Sequence, residues 1–198
     1  LTLSWIDVTS ELRISLLSAF IRVNGTISFA NKKENLTLEA ENAQVIKFIY
    51  KNLKDMFNGI DIHFYFQRSM KLKKNTKYII EILDASNIIK AFHINFLDNK
   101  IPYSLTSKED KIKAYLTGLF LSNGSCNDPI NTNYHLEISL KSEDFAKAIL
   151  KVIQKRKSKE FNFKLIQRRN NYVIYIKKSM NGIGYWLLIV CPWTMDNQ

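Results

Sequence analysis

Cysteine, proline and glycine are scarce in this 198-residue chain, which has two, three and six of them respectively. So little proline and glycine excludes the collagen-like and low-complexity classes. Cys126 and Cys191 lie too far apart for a CxxC zinc or redox motif, and they read as two free thiols in a reducing cytoplasm. His63, His93 and His135 are isolated, without HxxxH or His/Cys spacing, which speaks against a metal cluster. The longest apolar run, YWLLIVCPW from Tyr185, has about half of the ~20 residues that a membrane-spanning helix needs. Without a signal peptide, the Asn-x-Ser/Thr triplets at Asn24, Asn35 and Asn123 carry no glycosylation message.

What is present belongs to a folded protein. Hydrophobic residues make up 46% and charged residues 24%, and the length suits one large domain or two small ones. The net charge of +11 points to a polyanionic partner, nucleic acid before an anionic membrane face. That signal is discounted because 23 lysines stand against 6 arginines in a chain rich in Ile and Asn, the composition of A+T-rich genomes.

The sequence also repeats itself. RISLLSAFIRVNGTIS (from Arg13) and AYLTGLFLSNGS (from Ala114) are both apolar helical runs that stop at Asn-Gly and a small hydroxyl residue. Leu12, Leu16, Leu17, Phe20 and Ile21 mark one face of the first helix; Ile112, Tyr115, Leu116, Leu119 and Phe120 mark the second. Thr106 and Glu109 carry a capping-box signature for the start of the second helix. Downstream, each copy has a strand containing Leu-Glu, an amphipathic helix, then two alternating runs with Gln-Arg at a matching point. The Asn-Gly pairs are 99 residues apart, and Gln67-Arg68 and Gln167-Arg168 are 100 apart. The expected organisation is α+β, with two αββαββα halves: residues 1–95 and 106–190, a linker 96–105 and a tail 191–198. Packed about a pseudo-two-fold axis, the halves would form a curved antiparallel β saddle. Phe64 and Phe66 alternate onto one strand face and read as core, with His63 and Tyr65 on the other.

LTGLFLSNG (Leu116 to Gly124) matches the LAGLIDADG motif position by position, and LSAFIRVNG (Leu17 to Gly25) matches more loosely. The chain therefore resembles the LAGLIDADG homing-endonuclease fold. In that fold the motif helices pack closely at the centre, a role implied here for Ser15 and Ala19 on one helix and Ala114, Gly118 and Ser122 on the other. Gly25 and Gly124 suit a left-handed position after a helix. The eighth motif position is a metal-binding acid in the endonucleases. Here it is Asn24 and Asn123, and the sixth is Arg22 or Leu121. A neutral amide supplies none of the charge that a hard divalent cation requires, so no metal, no cofactor and no catalysis are expected. Asn at a helix end also serves simply as a stop or turn residue.

AFIRVNGTISF, RSMKLKKNTKYIIEI and YLTGLFLSNGSCNDPINTNYHLEI further resemble the amino-terminal region of the WhiA family, from about Glu11 to Lys178. That resemblance implies a DNA-binding regulator of cell division and chromosome segregation, and of sporulation in some bacteria. It implies a monomer with internal pseudo-symmetry in the cytoplasm, at the nucleoid, acting on double-stranded DNA and on other regulatory proteins. The family's helix-turn-helix module is not expected within these 198 residues. The DNA-facing candidates are Arg68, Lys71, Lys73, Lys74 and Lys77 in one hairpin and Gln167, Arg168 and Arg169 in the other. The KRKSKE run from Lys155 reads as a solvated helix end. Two other classes stay open at this point: an active endonuclease or RNA maturase, and a protein-interaction scaffold without DNA binding.

Overall fold

The computed structural model describes residues 10–68, 76–126, 135–155 and 163–177. The first half runs α1 (Ser10–Asn24), β1 (Gly25–Ala30), β2 (Lys33–Ala40), α2 (Ala43–Met56), β3 (Asp61–Arg68), β4 (Thr76–Leu83) and α3 (Ser86–Ala91). A 3₁₀ turn at Tyr103–Leu105 leads into α4 (Glu109–Asn123), β5 (Gly124–Cys126), β6 (His135–Leu140), α5 (Glu143–Lys155), β7 (Lys164–Arg168) and β8 (Asn171–Lys177). The strands form two antiparallel four-stranded sheets, β1-β2-β4-β3 and β5-β6-β8-β7, with one connectivity. The helix expected to end the second half, the 191–198 tail and most of the KRKSKE run lie outside the described residues.

The helices fall into two kinds. In α2, Val45, Ile46, Ile49 and Leu53 bury one stripe, as do Phe145, Ala146, Ile149 and Ile153 in α5. Both start on a side-chain cap: Asn42 Oδ1 accepts from the Gln44 and Val45 amides, and Ser142 Oγ from the Phe145 amide. In α1 and α4 burial is all-round. Every residue from Ser15 to Ile21 is buried, and so is every residue from Ala114 to Leu121. The single apolar face read from the sequence is therefore only part of the contact surface. These two helices pack on each other and on both sheets.

Their contact is close. A β-carbon at Gly118 would lie 2.1 Å from the Leu16 carbonyl oxygen and 2.9 Å from the Ala19 methyl. Ala19 belongs to the apolar cluster of the second half, and Ala114 and Leu121 to that of the first. Ser15 Oγ donates to the Leu105 carbonyl (2.9 Å) and Ser18 Oγ to the Phe92 carbonyl (2.7 Å), so these buried hydroxyls fasten α1 to its surroundings.

Several local expectations are corrected. α4 starts after Lys108 with no side-chain cap, while Thr106 closes the preceding 3₁₀ turn, so the capping box does not form. Gly124 is extended (φ −84°, ψ 151°), and Gly25 is not left-handed either. Each strand departs directly from the helix end, and a β-carbon would meet the carbonyl of Ile21 at 2.4 Å or of Phe120 at 2.5 Å. Glycine is needed there for close approach, not for a positive φ. Phe64 and Phe66 are 38% and 55% exposed, because β3 is an edge strand; the Phe64 ring lies beside Tyr50 of α2 and Tyr78 of β4, with centroids 5.9 Å and 6.5 Å away. Cys126 is disulfide-bonded, not a free thiol. Separation along the chain says nothing about such closure, which the fold decides; Cys191 lies outside the described residues.

The strand registers also shift the repeat. Gly25 opposes Leu38 and Gly124 opposes Ile138, so the two Leu-Glu dipeptides are two residues out of step. Leu38 and Ile138 oppose Ile80 and Ile174, which in turn oppose Phe64 and Leu165. Arg68 is thus equivalent to Arg169, and Gln67 to Arg168. A slip of one residue reverses the face of a strand side chain.

Candidate functional site

Each sheet has one face covered by helices and one left open. The covered face takes Leu36, Leu38, Ile80 and Ile82 in the first sheet and Leu136, Ile138, Ile174 and Ile176 in the second, all buried. Alternation then places Thr37, Glu39, His63, Tyr65, Gln67, Lys77 and Glu81 on the first open face. It places Glu137, Ser139, Lys164, Ile166, Arg168, Asn171 and Tyr175 on the second. One aliphatic residue in each, Ile79 and its equivalent Val173, is buried in the middle of that open face.

The basic candidates divide accordingly. Lys77 and Arg168 are on the open faces. Arg68 and Gln167 are on the covered side of their strands, and Arg68 lies 5.6 Å above the Phe66 ring there. Arg169 occupies the hairpin end after β7 with φ 54°, an uncommon backbone for a residue with a side chain. Lys71, Lys73 and Lys74 lie outside the described residues. Gln67 shares the open face, and only the strand register reveals it.

Lys77, Arg168 and His63 on the open faces have acidic neighbours. Lys77 Nζ is 3.0 Å from Glu39 Oε2, and Arg168 Nη1 is 2.7 Å from Glu137 Oε2. His63 Nε2 is 2.8 Å from Asp61 Oδ1. Lys141 Nζ donates to Asn171 Oδ1 at 2.8 Å. The net charge of +11 is therefore not concentrated on the strand bodies of the open faces.

Between the two sheets, the ends of α1 and α4 meet in a cleft of about 770 Å³. Asn24 and Asn123 both line it, with Glu39, Glu41, Lys77 and Lys141. Asn24 Nδ2 donates to the Glu39 carbonyl at 2.9 Å and so ties the helix end to β2. The motif positions in the cleft supply no charged ligand for a divalent cation. Both motif positions are neutral amides, and the Glu39 carboxylate is already matched by Lys77. Among the described residues no group of three or more His, Cys, Asp or Glu side chains is arranged to hold a metal.

The sixth motif positions have become packing residues. Leu121 is buried in the first half's cluster. Arg22 points the other way: its Cζ lies 4.9 Å from the Phe145 ring centroid and 5.7 Å from that of Phe96. Its Nη2 donates to the Asp98 carbonyl (2.8 Å) and reaches Asn99 Oδ1 (3.4 Å), which also accepts from Ser142 Oγ (3.0 Å). Nearby, burial pushes the Tyr115 phenol well above its ordinary range, a shift that the Arg22 charge partly opposes.

Comparison with known proteins places this geometry. The family profile described as WhiA N-terminal LAGLIDADG-like domain matches residues 10–94, and that described as WhiA LAGLIDADG-like domain matches 112–190. A probable cell division protein WhiA of Clostridium botulinum is 35% identical over 183 residues, covering 87% of this chain and 56% of that protein. One from Staphylococcus aureus is 33% identical over 184 residues, covering 89% and 56%. The chain thus spans about half the length of the curated relatives it matches. Among solved structures, full-length DUF199/WhiA from Thermatoga maritima superposes with a TM-score of 0.66 at 23% identity, over 92% of this chain and 56% of that one. The N-terminal LAGLIDADG domain of DUF199/WhiA gives 0.64 at 22%, over 92% and 82%. The homing endonuclease I-DmoI, in complex with DNA and Mn, gives 0.56 at 15%, over 91% and 96%. These likenesses establish the LAGLIDADG homing-endonuclease-like fold.

Proposed function

Because the chain belongs to the WhiA family, whose curated members are named probable cell division proteins, we propose that it is the DNA-binding, non-hydrolytic LAGLIDADG-type part of a cell-division regulator. The observation that carries this reading is the pair of open sheet faces. Each presents polar, amide, cationic and acidic side chains at alternate positions while its other face is spent on the core. The major groove of a duplex admits a β-ribbon, and the I-DmoI neighbour is a DNA complex built on this fold. Lys77, Arg168, Arg169, Lys71, Lys73 and Lys74 would meet phosphates, and Gln67 would reach base edges. The double-stranded DNA is held by the saddle as a whole, without a cofactor.

The absence of hydrolysis rests on Asn24 and Asn123. In-line phosphodiester cleavage by metal ions needs anionic ligands at the meeting of the two helices, and both positions there are neutral. Incubation with a plasmid library and Mg²⁺ or Mn²⁺ should leave the DNA uncut; specific cutting would restore the endonuclease reading.

DNA binding is tested by fluorescence anisotropy across a salt series. Charge reversal at Lys73, Lys74, Arg168 and Arg169 should weaken binding at least tenfold. It should also flatten the salt dependence by about 0.9 for each phosphate that is no longer neutralised. Wild-type protein without affinity for duplex DNA at low salt would favour the protein-interaction scaffold. The acidic neighbours of Lys77 and Arg168 are the observation that keeps that second reading in view.

A further inference from the structure

Lys77 and Arg168 are the candidate DNA-binding cations that the described strands themselves place on the open faces, and each is held by a carboxylate. Glu39 holds Lys77 at 3.0 Å and Glu137 holds Arg168 at 2.7 Å. The two pairs are not copies of one ancestral pair. By strand register Glu39 is equivalent to Ser139 and Glu137 to Thr37, while Lys77 is equivalent to Asn171 and Arg168 to Gln67. Their geometry differs as well. The first pair joins neighbouring strands β2 and β4; the second reaches across β8, from β7 to β6. The duplication alone therefore does not account for a carboxylate beside the cation in both halves.

We propose that Glu39 and Glu137 are specificity-determining residues of the open faces. Resting on the DNA-binding reading above, this assigns them a restraining role. Each carboxylate occupies a cation that would otherwise grip any phosphate, and its own charge repels a sequence-neutral backbone. All four side chains stay partly in water (54% and 48% exposed for Lys77 and Glu39, 49% and 25% for Arg168 and Glu137), so the pairs are weak enough to exchange partners. A base pair that turns its amino donor, cytosine N4 or adenine N6, toward the carboxylate compensates it as the cation moves to phosphate. A pair that turns guanine O6 or thymine O4 toward it leaves the carboxylate unmatched. The faces thereby give up general affinity and gain discrimination.

The probe is a random-sequence DNA duplex titrated by anisotropy at several salt concentrations, with the 198-residue chain. Glu39→Gln/Glu137→Gln keeps the shape and removes the restraint. It should bind random duplex about five- to tenfold tighter, with a salt slope steeper by about 0.9 for each released cation that gains a phosphate. Glu34→Gln/Asp55→Asn removes the same two charges away from the open faces and should change affinity less than twofold. Wild-type binding with an unchanged or weakened Glu39/Glu137 variant, or equal gains in both double variants, overturns the inference and leaves the DNA reading standing. Failure of all three proteins to bind at low salt overturns the DNA reading and the inference with it. Circular dichroism melting of each variant shows that the comparison is made between folded proteins.

Discussion

At Gly118 the atom that an added methyl would strike is the Leu16 carbonyl oxygen, 2.1 Å away, and a backbone atom cannot rotate aside. Alanine is better than glycine in a helix interior by about 1 kcal/mol, whereas overpacking costs about 1–3 kcal/mol and more against a rigid neighbour. Gly118→Ala should therefore lower the thermal midpoint by about 4–10 °C; a raised midpoint would mean that α1 and α4 adjust freely. Ser18 makes a second residue-scale test. Its hydroxyl is buried and donates to the Phe92 carbonyl at 2.7 Å, so Ser18→Ala should cost about 1–2 kcal/mol in urea denaturation, close to the penalty for an orphaned acceptor. The small-residue spacing that flags Gly118 is legible in the sequence. The role of Ser18 is not, because its partner sits 74 positions away and is brought there by folding.

At the scale of elements, α1 is anchored at both ends. Near its start, the Lys111 ammonium beside Glu11 holds that carboxyl below the usual range, first through the hydrogen bond and then through its charge. A depressed carboxyl pKa adds stability above the ordinary carboxylate range and loses it as pH falls through the folded value. The small advantage of wild type over Glu11→Gln should therefore be present at neutral pH and vanish in acid, measured as the difference in thermal midpoint against pH. Near its end, Arg22 joins α1 to the segment around Asp98 and to α5 through Phe145. Arg22→Leu should destabilise by about 1–3 kcal/mol, and Arg22→Lys should rescue it poorly, because an ammonium lacks the planar fork that stacks and donates together.

For the whole molecule, the two halves are one cooperative unit by construction. Ala19 lies in the second half's core, and Ala114 and Leu121 lie in the first's. A fragment ending at residue 105 would expose the α4-facing side of α1, so it should show no sharp thermal transition alone. Mixing it with the 106–198 fragment should restore one, and a cooperative isolated half would contradict the shared core. At this scale no helix of the described residues is long and apolar enough to cross a membrane.

Helical and strand periodicity and the Asn-Gly stops are local properties, so the order of the described elements, the duplication and the motif helices are legible in the chain itself. The amides at both motif positions are legible there too, since Asn24 and Asn123 are read directly from the chain. Folding alone assigns the strand faces. Strand side chains alternate with a period of two, so the one-residue slip between the Gln-Arg pairs sends Gln67 and Arg168 to the open faces and Arg68 and Gln167 to the other side. It likewise decided that Gly25 and Gly124 serve close packing, that Phe64 and Phe66 lie at an uncovered edge, and that Glu39 and Glu137 stand beside Lys77 and Arg168. Those facts depend on which strand lies next to which, and hydrogen-bond register between distant segments leaves no mark in local composition.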